Sequence, residues 1–256
     1  HAAGSPEAPG GAGPAVSRSA AARRPPGFVA PGPAPTGDAE EARRSLGPME
    51  DLSYLTGDFR IFQRRDGHRW SLDDLITAWV ALRAPDRPLT ADAPARAETK
   101  PMRGLDLGCG IGSVLMMLAW GLPAAKLVGV ERQAISLALA RRSIAFNGID
   151  DRVEVHELDL RQFPERAALG SFDLVTGTPP YFDVDHASIS SRPQRGPCRF
   201  VLHGGIEDYV RAATAVLPIG ASAVFCDSRL NQEIARRSFS SHGLEVIDEL
   251  TVFPRE

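Results

Sequence analysis

Lysine is almost missing from this sequence: Lys100 and Lys126 are the only two among 29 basic residues, and all the others are arginines. Cysteine is scarce as well. The three cysteines, at positions 109, 198 and 226, are too far apart for a Cys-x-x-Cys pair and odd in number. Neither a disulfide framework nor a zinc site is expected, and a reducing compartment fits. No run approaches the roughly 20 apolar residues of a membrane-spanning helix, so attachment of that kind is excluded. A strong charge of one sign is lacking too, since 29 Lys plus Arg stand against 32 Asp plus Glu for a net −3. Bulk charge alone cannot hold nucleic acid here, and only a local basic patch is left. What is present, 256 residues that are 43% hydrophobic, predicts one large globular domain, with or without an appendage.

The appendage is visible at the start. Residues 1–37 hold 10 Ala, 8 Pro and 7 Gly, with Arg18, Arg23 and Arg24 set against the single acid Glu7. Such a segment has too little to bury to fold. It reads either as a transit-like segment or as an extension with no address function. The compartment is therefore expected to be intracellular, cytoplasmic by default, with mitochondrion or plastid open. The chain begins at His1 and not at Met, so its true start is not visible. The expected division is an extension over 1–48 and one domain over 49–256. The second part carries −4 once the 5 Arg and 4 acids of the first are removed.

Within the domain, Ser71 and Asp74 stand three apart as in a capping box. Leu72, Leu75, Ile76, Trp79 and Val80 follow the rhythm of a buried helix face. This predicts a helix of about four turns. Residues 84–102, with Pro85, Pro88, Pro94 and Pro101, read as a long loop. Beyond it, apolar runs at 103–107, 127–131, 153–157, 172–176, 221–226 and 244–252 predict strands. Helical patterns at 112–121, 133–146, 206–217 and 229–241 lie between them, with a short helix expected around 160–169. Asn147-Gly148, Pro218 with Gly220, and Gly243 punctuate the helix ends. Strict alternation predicts an α/β fold, a Rossmann-like doubly wound parallel sheet with helices on both faces.

Leu105-Asp106-Leu107-Gly108-Cys109-Gly110-Ile111-Gly112 follows the first of those strands and opens a helix. In such sheets ligands bind beyond the carboxyl ends of the strands. Gly108, Gly110 and Gly112 are spaced Gly-x-Gly-x-Gly, not the Gly-x-Gly-x-x-Gly that places a pyrophosphate on a helix amino end. An acid two residues earlier, Asp106, would repel phosphate and attract the ammonium and sulfonium of S-adenosylmethionine. Glu131 closes the next strand, where an acid can hydrogen-bond ribose hydroxyls, and Asp159 follows the third, where an acid can take an adenine amino group. Arg132, Arg141 and Arg142 read as solvent-facing helix charges, and Cys109 as a small side chain in a loop that needs one.

After the fourth strand comes Gly177-Thr178-Pro179-Pro180-Tyr181-Phe182. Two prolines fix the chain and remove its donors, so carbonyl groups face whatever enters. The ring of Tyr181 can stack on a planar substrate. The motif resembles the Asn-Pro-Pro-Tyr loop of methyltransferases acting on planar amino nitrogens, in adenine, cytosine or a glutamine amide. In that family the first side-chain oxygen and a proline carbonyl accept the N–H bonds of a nitrogen that is becoming tetrahedral and positive. No metal is needed. Here Thr178 replaces the usual Asn, and its hydroxyl can accept one hydrogen bond.

Over about residues 58–256 the sequence resembles bacterial methyltransferases of the small-domain class that modify adenine N6 beside the anticodon of a valine tRNA. Three stretches carry the match: Gly67-His68-Arg69-Trp70-Ser71-Leu72-Asp73-Asp74-Leu75, Leu105 to Gly112, and Phe172 to Phe182. The resemblance implies S-adenosylmethionine as cofactor, held by Trp70, Asp106, Gly108, Gly110, Gly112, Glu131, Asp159 and Thr178. It implies catalysis at Thr178, Pro179, Pro180 and Tyr181, with Arg69, Phe182, Arg195 and Arg199 toward an RNA, most plausibly tRNA. Arg192 and His203 belong to the same basic segment. Arg64 and Arg65 are placed to form the other bank of a groove. The family has an acid after its matching Arg, and here Phe200, Val201 and Leu202 follow Arg199 instead. The family also adds a last antiparallel strand after the one at 244–252, and too few residues remain to supply it. Two other readings stay open: a protein glutamine-amide methyltransferase, and a non-catalytic subunit of an RNA–protein particle.

Overall fold

The computed structural model describes residues 34–84, 101–162, 170–181 and 204–253. Five parallel strands form the central sheet: β3 (Arg103–Leu107), β4 (Lys126–Glu131), β5 (Val153–Glu157), β6 (Leu174–Gly177) and β7 (Ser222–Phe225), in the order β5-β4-β3-β6-β7. Ahead of it lie helix α1 (Ala39–Arg44), an antiparallel hairpin of β1 (Glu50–Thr56) and β2 (Phe59–Arg64), and helix α2 (Leu72–Ala81). The crossovers use α3 (Ser113–Gly121), α4 (Ala134–Phe146) and α5 (Ile206–Thr214), and α6 (Gln232–Ser241) follows β7. The expected α/β class, the parallel alternation and the helix-ending glycines Gly148 and Gly243 are present, whereas Gly220 lies in the turn before β7, five residues past the cap of its helix at Ala215. Residues 163–169, inside the stretch expected to hold a short helix, lie outside the described residues. Among the described residues no helix is long and apolar enough to cross a membrane.

Register sorts the core into two layers. Leu105 of β3 sits between Val128 of β4 and Val175 of β6, and this row packs with Phe172, Tyr209, Ala212, Ala213 and Val216 under α5. On the opposite face Leu127, Val153, Val155 and Leu174 pack with Val114, Leu115, Leu118, Leu137 and Ile144 of α3 and α4. Alternating side chains on fully covered strands make this two-sided burial possible. Asp106 is carried to the carboxyl end of the central strand by the same register.

Three expectations need correction. The segment assigned to the extension contains α1, capped by Asp38, whose Oδ1 accepts from Glu40 N at 2.7 Å and Glu41 N at 3.1 Å. It is tied to the domain by Gly37 N donating to Phe146 O at 2.9 Å. Second, α2 turns its apolar stripe outward: Leu72, Leu75 and Trp79 are exposed, and the buried face is Asp74, Thr77, Ala78 and Ala81. Small residues on that face let α2 approach α3 closely, with Leu82 packed where a Cβ on Gly121 would stand 2.5 Å away. Third, the strand expected at 244–252 does not form, and Val246, Ile247, Leu250 and Val252 are exposed. Alternation defines a face but not a partner, and β7 is hydrogen-bonded only to β6 among the described strands.

The hairpin has no counterpart in the sequence-based expectations. It packs Phe59, Ile61 and Phe62 into the core beside α4. Asn147 Oδ1 accepts from Arg60 N at 2.9 Å, and its Nδ2 donates to Arg60 O at 2.7 Å. Phe62 N donates to Ser143 Oγ at 2.9 Å. Two side chains four apart on a helix thus take the place of a neighbouring strand.

Candidate active site

A cleft of about 460 Å³ opens at the carboxyl ends of β3, β4, β5 and β6. Its floor is the turn between β3 and α3. Gly108 and Gly110 hold φ of +63° and +57°, a region that disfavours side chains. A Cβ on Gly108 would lie 2.3 Å from Tyr209 Oη, whereas nothing stands within 4 Å of one on Gly110. The first glycine therefore permits internal packing and the second leaves the cleft open. Gly112 caps α3 against Ala140 and is not part of the lining. Cys109 is buried and its Sγ fills the space over Gly129, so the thiol packs inward and its pKa is pushed up by burial.

Three buried carboxylates surround the floor. Asp106 accepts from Thr176 Oγ1 at 2.8 Å, and burial, helped by the charges of Asp74 and Glu131, pushes its pKa up to about 7. Asp74 accepts from Ser71 N at 2.9 Å, completing one half of the expected box, and lines the cleft together with Ser113 of α3. Burial raises its pKa against the opposing charge of His68. Glu131 accepts from Gly110 N at 3.0 Å and Gln133 N at 2.6 Å. Burial raises its pKa while these amides and that of Arg132 oppose the rise. With three amides on its two oxygens, Glu131 retains one lone pair for a hydroxyl.

The rim differs. Asp159 accepts from Arg161 N at 3.0 Å, Arg161 Nε at 2.9 Å and Arg161 Nη2 at 2.6 Å, with Arg132 Nε 3.5 Å away. The Arg161 hydrogen bonds hold its pKa down to about 2. Arg132 is solvent-exposed, as expected, and is also a partner of a cleft acid. Arg141 reaches Val155 O at 3.4 Å and Arg142 pairs with Glu50 at 2.7 Å. Arg69 lines the cleft while pairing with Asp51 at 2.7 Å, and Arg64 forks onto Asp66.

On the other wall Thr178, Pro179, Pro180 and Tyr181 face the same cleft. The Tyr181 hydroxyl lies 3.5 Å from Cys226 Sγ, and Tyr181 O accepts from Asn231 Nδ2 at 3.3 Å. Trp70, expected at the cofactor, packs against the hydrophobic core and is not in the lining. Phe182, Arg192, Arg195, Arg199 and His203 lie outside the described residues. Lining residues without an assigned role include His68, Ser71, Asp73, Asp74, Ser113 and Tyr209. The first four belong to the 67–75 motif, which was the available signal. Tyr209, one turn into α5, carried none.

Residues 105–189 match the family described as a methyltransferase domain. Over that third of the chain it is similar to a methyltransferase domain. Such domains use S-adenosylmethionine, and the donor set fits it: buried acids with raised pKa values for a cationic group, and Glu131 with an open lone pair for a hydroxyl. The chain is similar to a ribosomal protein uL3 glutamine methyltransferase of Bordetella pertussis, 29% identical over 65% of this chain and 54% of that protein. It is also similar to the release factor glutamine methyltransferase of Escherichia coli, 30% identical over 64% and 53%. A tRNA1(Val) (adenine(37)-N6)-methyltransferase of Yersinia pestis is 33% identical over 31% of this chain and 32% of that protein. The chain thus spans about half the length of the glutamine methyltransferases it matches. A SAM-dependent methyltransferase structure from Agrobacterium tumefaciens superposes with TM-score 0.52 at 13% identity, over 77% of this chain and 60% of that one. SMU.776, solved with SAH, does so with TM-score 0.51 at 14% identity, over 77% and 47%. At those identities the likeness shows a shared fold alone.

Proposed function

We propose that this methyltransferase domain transfers a methyl group from S-adenosylmethionine to the exocyclic amino group of adenine in RNA, with tRNA the first substrate to try. The observation that carries the reading is the sharing of one cleft by the acids of the floor and the Thr178-Pro179-Pro180-Tyr181 loop. S-adenosylmethionine supplies an electrophilic methyl group. Asp106 and Glu131 hold the cofactor at the floor, and Asp159 receives the adenine end after exchanging a contact with Arg161. Thr178 Oγ1 and the carbonyls of the proline loop accept hydrogen bonds from the acceptor amino group, which becomes positive as it attacks. The apolar prolines keep water from that nitrogen, and Tyr181 offers a face to a base swung out of its stack. Arg69, which lines the cleft, meets the RNA backbone, and Phe182, Arg195 and Arg199 are the further substrate-side residues that the resemblance implies.

A glutamine amide is a second planar amino acceptor suited to the same loop. The longer alignments with glutamine methyltransferases favour it. Incubating the chain with methyl-labelled cofactor, total RNA and a soluble protein fraction separates the two. Label in RNA that digests to N6-methyladenosine is expected. Label confined to protein would replace adenine by the amide as acceptor, and absence of label with no cofactor binding in calorimetry would overturn both.

A further inference from the structure

Arg69 reaches the cleft wall from the segment between the hairpin and α2, and the hairpin holds it there. Its Nη1 donates to Asp51 Oδ2 at 2.7 Å. Asp51 Oδ1 accepts from Ser53 Oγ at 3.0 Å, and Ser53 Oγ in turn accepts from Gln63 Nε2 at 2.7 Å. Four side chains thus make one connected run of hydrogen bonds. The strands supply its geometry: Asp51 and Ser53, two apart on β1, share a face, and Gln63 of β2 stands opposite Asp51. Gln63 is fully buried, and its Oε1 has no partner among the described residues. An amide oxygen buried unpaired is unfavourable, and the fold tolerates it while keeping the donor end on Ser53. At the other end Arg69 is about half exposed. Asp51 takes Nη1, which leaves the Nε and Nη2 edge of the guanidinium for an incoming anion. That edge can grip two oxygens at once, as Arg64 does on Asp66 at 3.0 and 2.9 Å.

We propose that Asp51 is a positioning residue for a phosphate subsite at the cleft wall: through Gln63, Ser53 and Asp51 the hairpin fixes Arg69 so that its Nε and Nη2 edge meets a backbone phosphate of the substrate. The proposal rests on the reading of the substrate as RNA. Asp51 acts on such a phosphate in two ways of opposite sign. Its negative charge repels the phosphate, and its hold on Arg69 orders a long side chain before binding. The hold outweighs the repulsion, because the charge is already compensated by Arg69 at 2.7 Å and what remains is screened by salt.

Labelled total tRNA titrated against variants of the chain reads the sign. Asp51→Ala is expected to weaken binding about fivefold, the scale of ordering one long side chain, whereas loss of repulsion alone would tighten it. Asp51→Asn, which keeps an acceptor oxygen without the charge, should bind at least as tightly as the native chain. In an Arg69→Ala background Asp51→Ala should cost no further affinity, since both remove one contact. The slope of log affinity against log salt should become about 0.7 to 0.9 shallower in Asp51→Ala, the share of one phosphate. In turnover the loss should fall on KM for tRNA, with kcat and calorimetric cofactor affinity within about twofold. A second measurement needs no RNA. The Arg69 guanidinium resonances of an arginine-labelled sample, assigned with Arg69→Ala, should be resolved in the native chain and averaged by free rotation in Asp51→Ala. Unchanged or tighter tRNA binding by Asp51→Ala, an equal loss in the Arg69→Ala background, or guanidinium resonances unmoved by Asp51→Ala would overturn the proposal. If the native chain binds no tRNA, the RNA reading fails and the phosphate subsite with it. Binding that Asp51→Ala leaves untouched fails the proposal alone and spares the reading.

Discussion

The floor and the rim of the cleft hold acids of the same kind in opposite electrostatic states. At the floor Asp106, Asp74 and Glu131 are buried together and resist ionisation. At the rim Asp159 is half wrapped by Arg161 and Arg132 and ionises more readily than a free carboxyl. A desolvated acid without a cation is a destabilised group that a positively charged ligand relieves, while a salt-bridged acid must give up a partner before it can take another. The floor is therefore prepared for a ligand, and the rim must exchange one contact for another.

The largest expected effect lies at the floor. Asp106→Ala should weaken cofactor binding about a thousandfold, or ~4 kcal/mol, as expected for loss of one partner of a buried charge pair. Calorimetry reads this directly. Tyr181→Ala should bind cofactor normally and methylate slowly, so equal loss of binding in both variants would erase the distinction between floor and acceptor wall. The pH dependence comes next. The folded pKa of Asp106, about 7, lies above its ordinary value of 3.8, so the folded state binds the extra proton between those limits. Stability of the free protein is greatest below pH 4 as far as this group is concerned. It is lost as pH rises through 7, by up to about 4 kcal/mol at ~1.36 kcal/mol per unit. Asp159 has the opposite sign, and its contribution is present above pH 4 and lost as pH falls through about 2. Denaturant melts at pH 5 and pH 8 should converge in Asp106→Asn. Cofactor affinity should fall about tenfold per pH unit below 7, because binding then requires a proton to leave Asp106.

Smaller effects belong to the rim. Arg161→Ala should tighten cofactor binding about threefold, the scale of a half-exposed ion pair that no longer competes for Asp159. Weaker binding would mean that Arg161 itself touches the ligand. Arg69→Ala, which breaks the pair with Asp51, should change stability by less than about 0.5 kcal/mol in thermal melting while weakening RNA binding.

The glycine turn of the floor was legible in the sequence because its parts are local, whereas Asp74, 32 positions before Asp106, went without a role there. Asp106, Gly108 and Gly110 lie within five positions, and β3 and β4 carry their own apolar pattern. The hairpin escaped detection because its second strand is completed by Ser143 and Asn147, more than 80 positions away, which no local period reveals. α1 did carry a signal, with Asp38 at its cap, Glu40 and Glu41 in its first turn and Arg43 and Arg44 in its last. The Ala, Pro and Gly bias of the preceding residues masked it. For α2 the period of Leu72, Leu75 and Trp79 located the helix correctly but inverted its buried side. Close approach to α3 selects the small residues Ala78 and Ala81, and periodicity carries no information about interhelical distance. Residues 244–252 alternate like a strand, yet a ladder needs a neighbour and alternation cannot specify one.

The substitution of Ser143 and Asn147 for a strand also bears on how the molecule behaves in a crowd. A two-stranded hairpin alone is marginal in water, and its outer row of amides is a template for aggregation. By occupying Arg60 N, Arg60 O and Phe62 N, the helix denies that row to any other chain. Asn147→Ala would free Arg60 N and Arg60 O, so cross-chain pairing would begin at that point of β2.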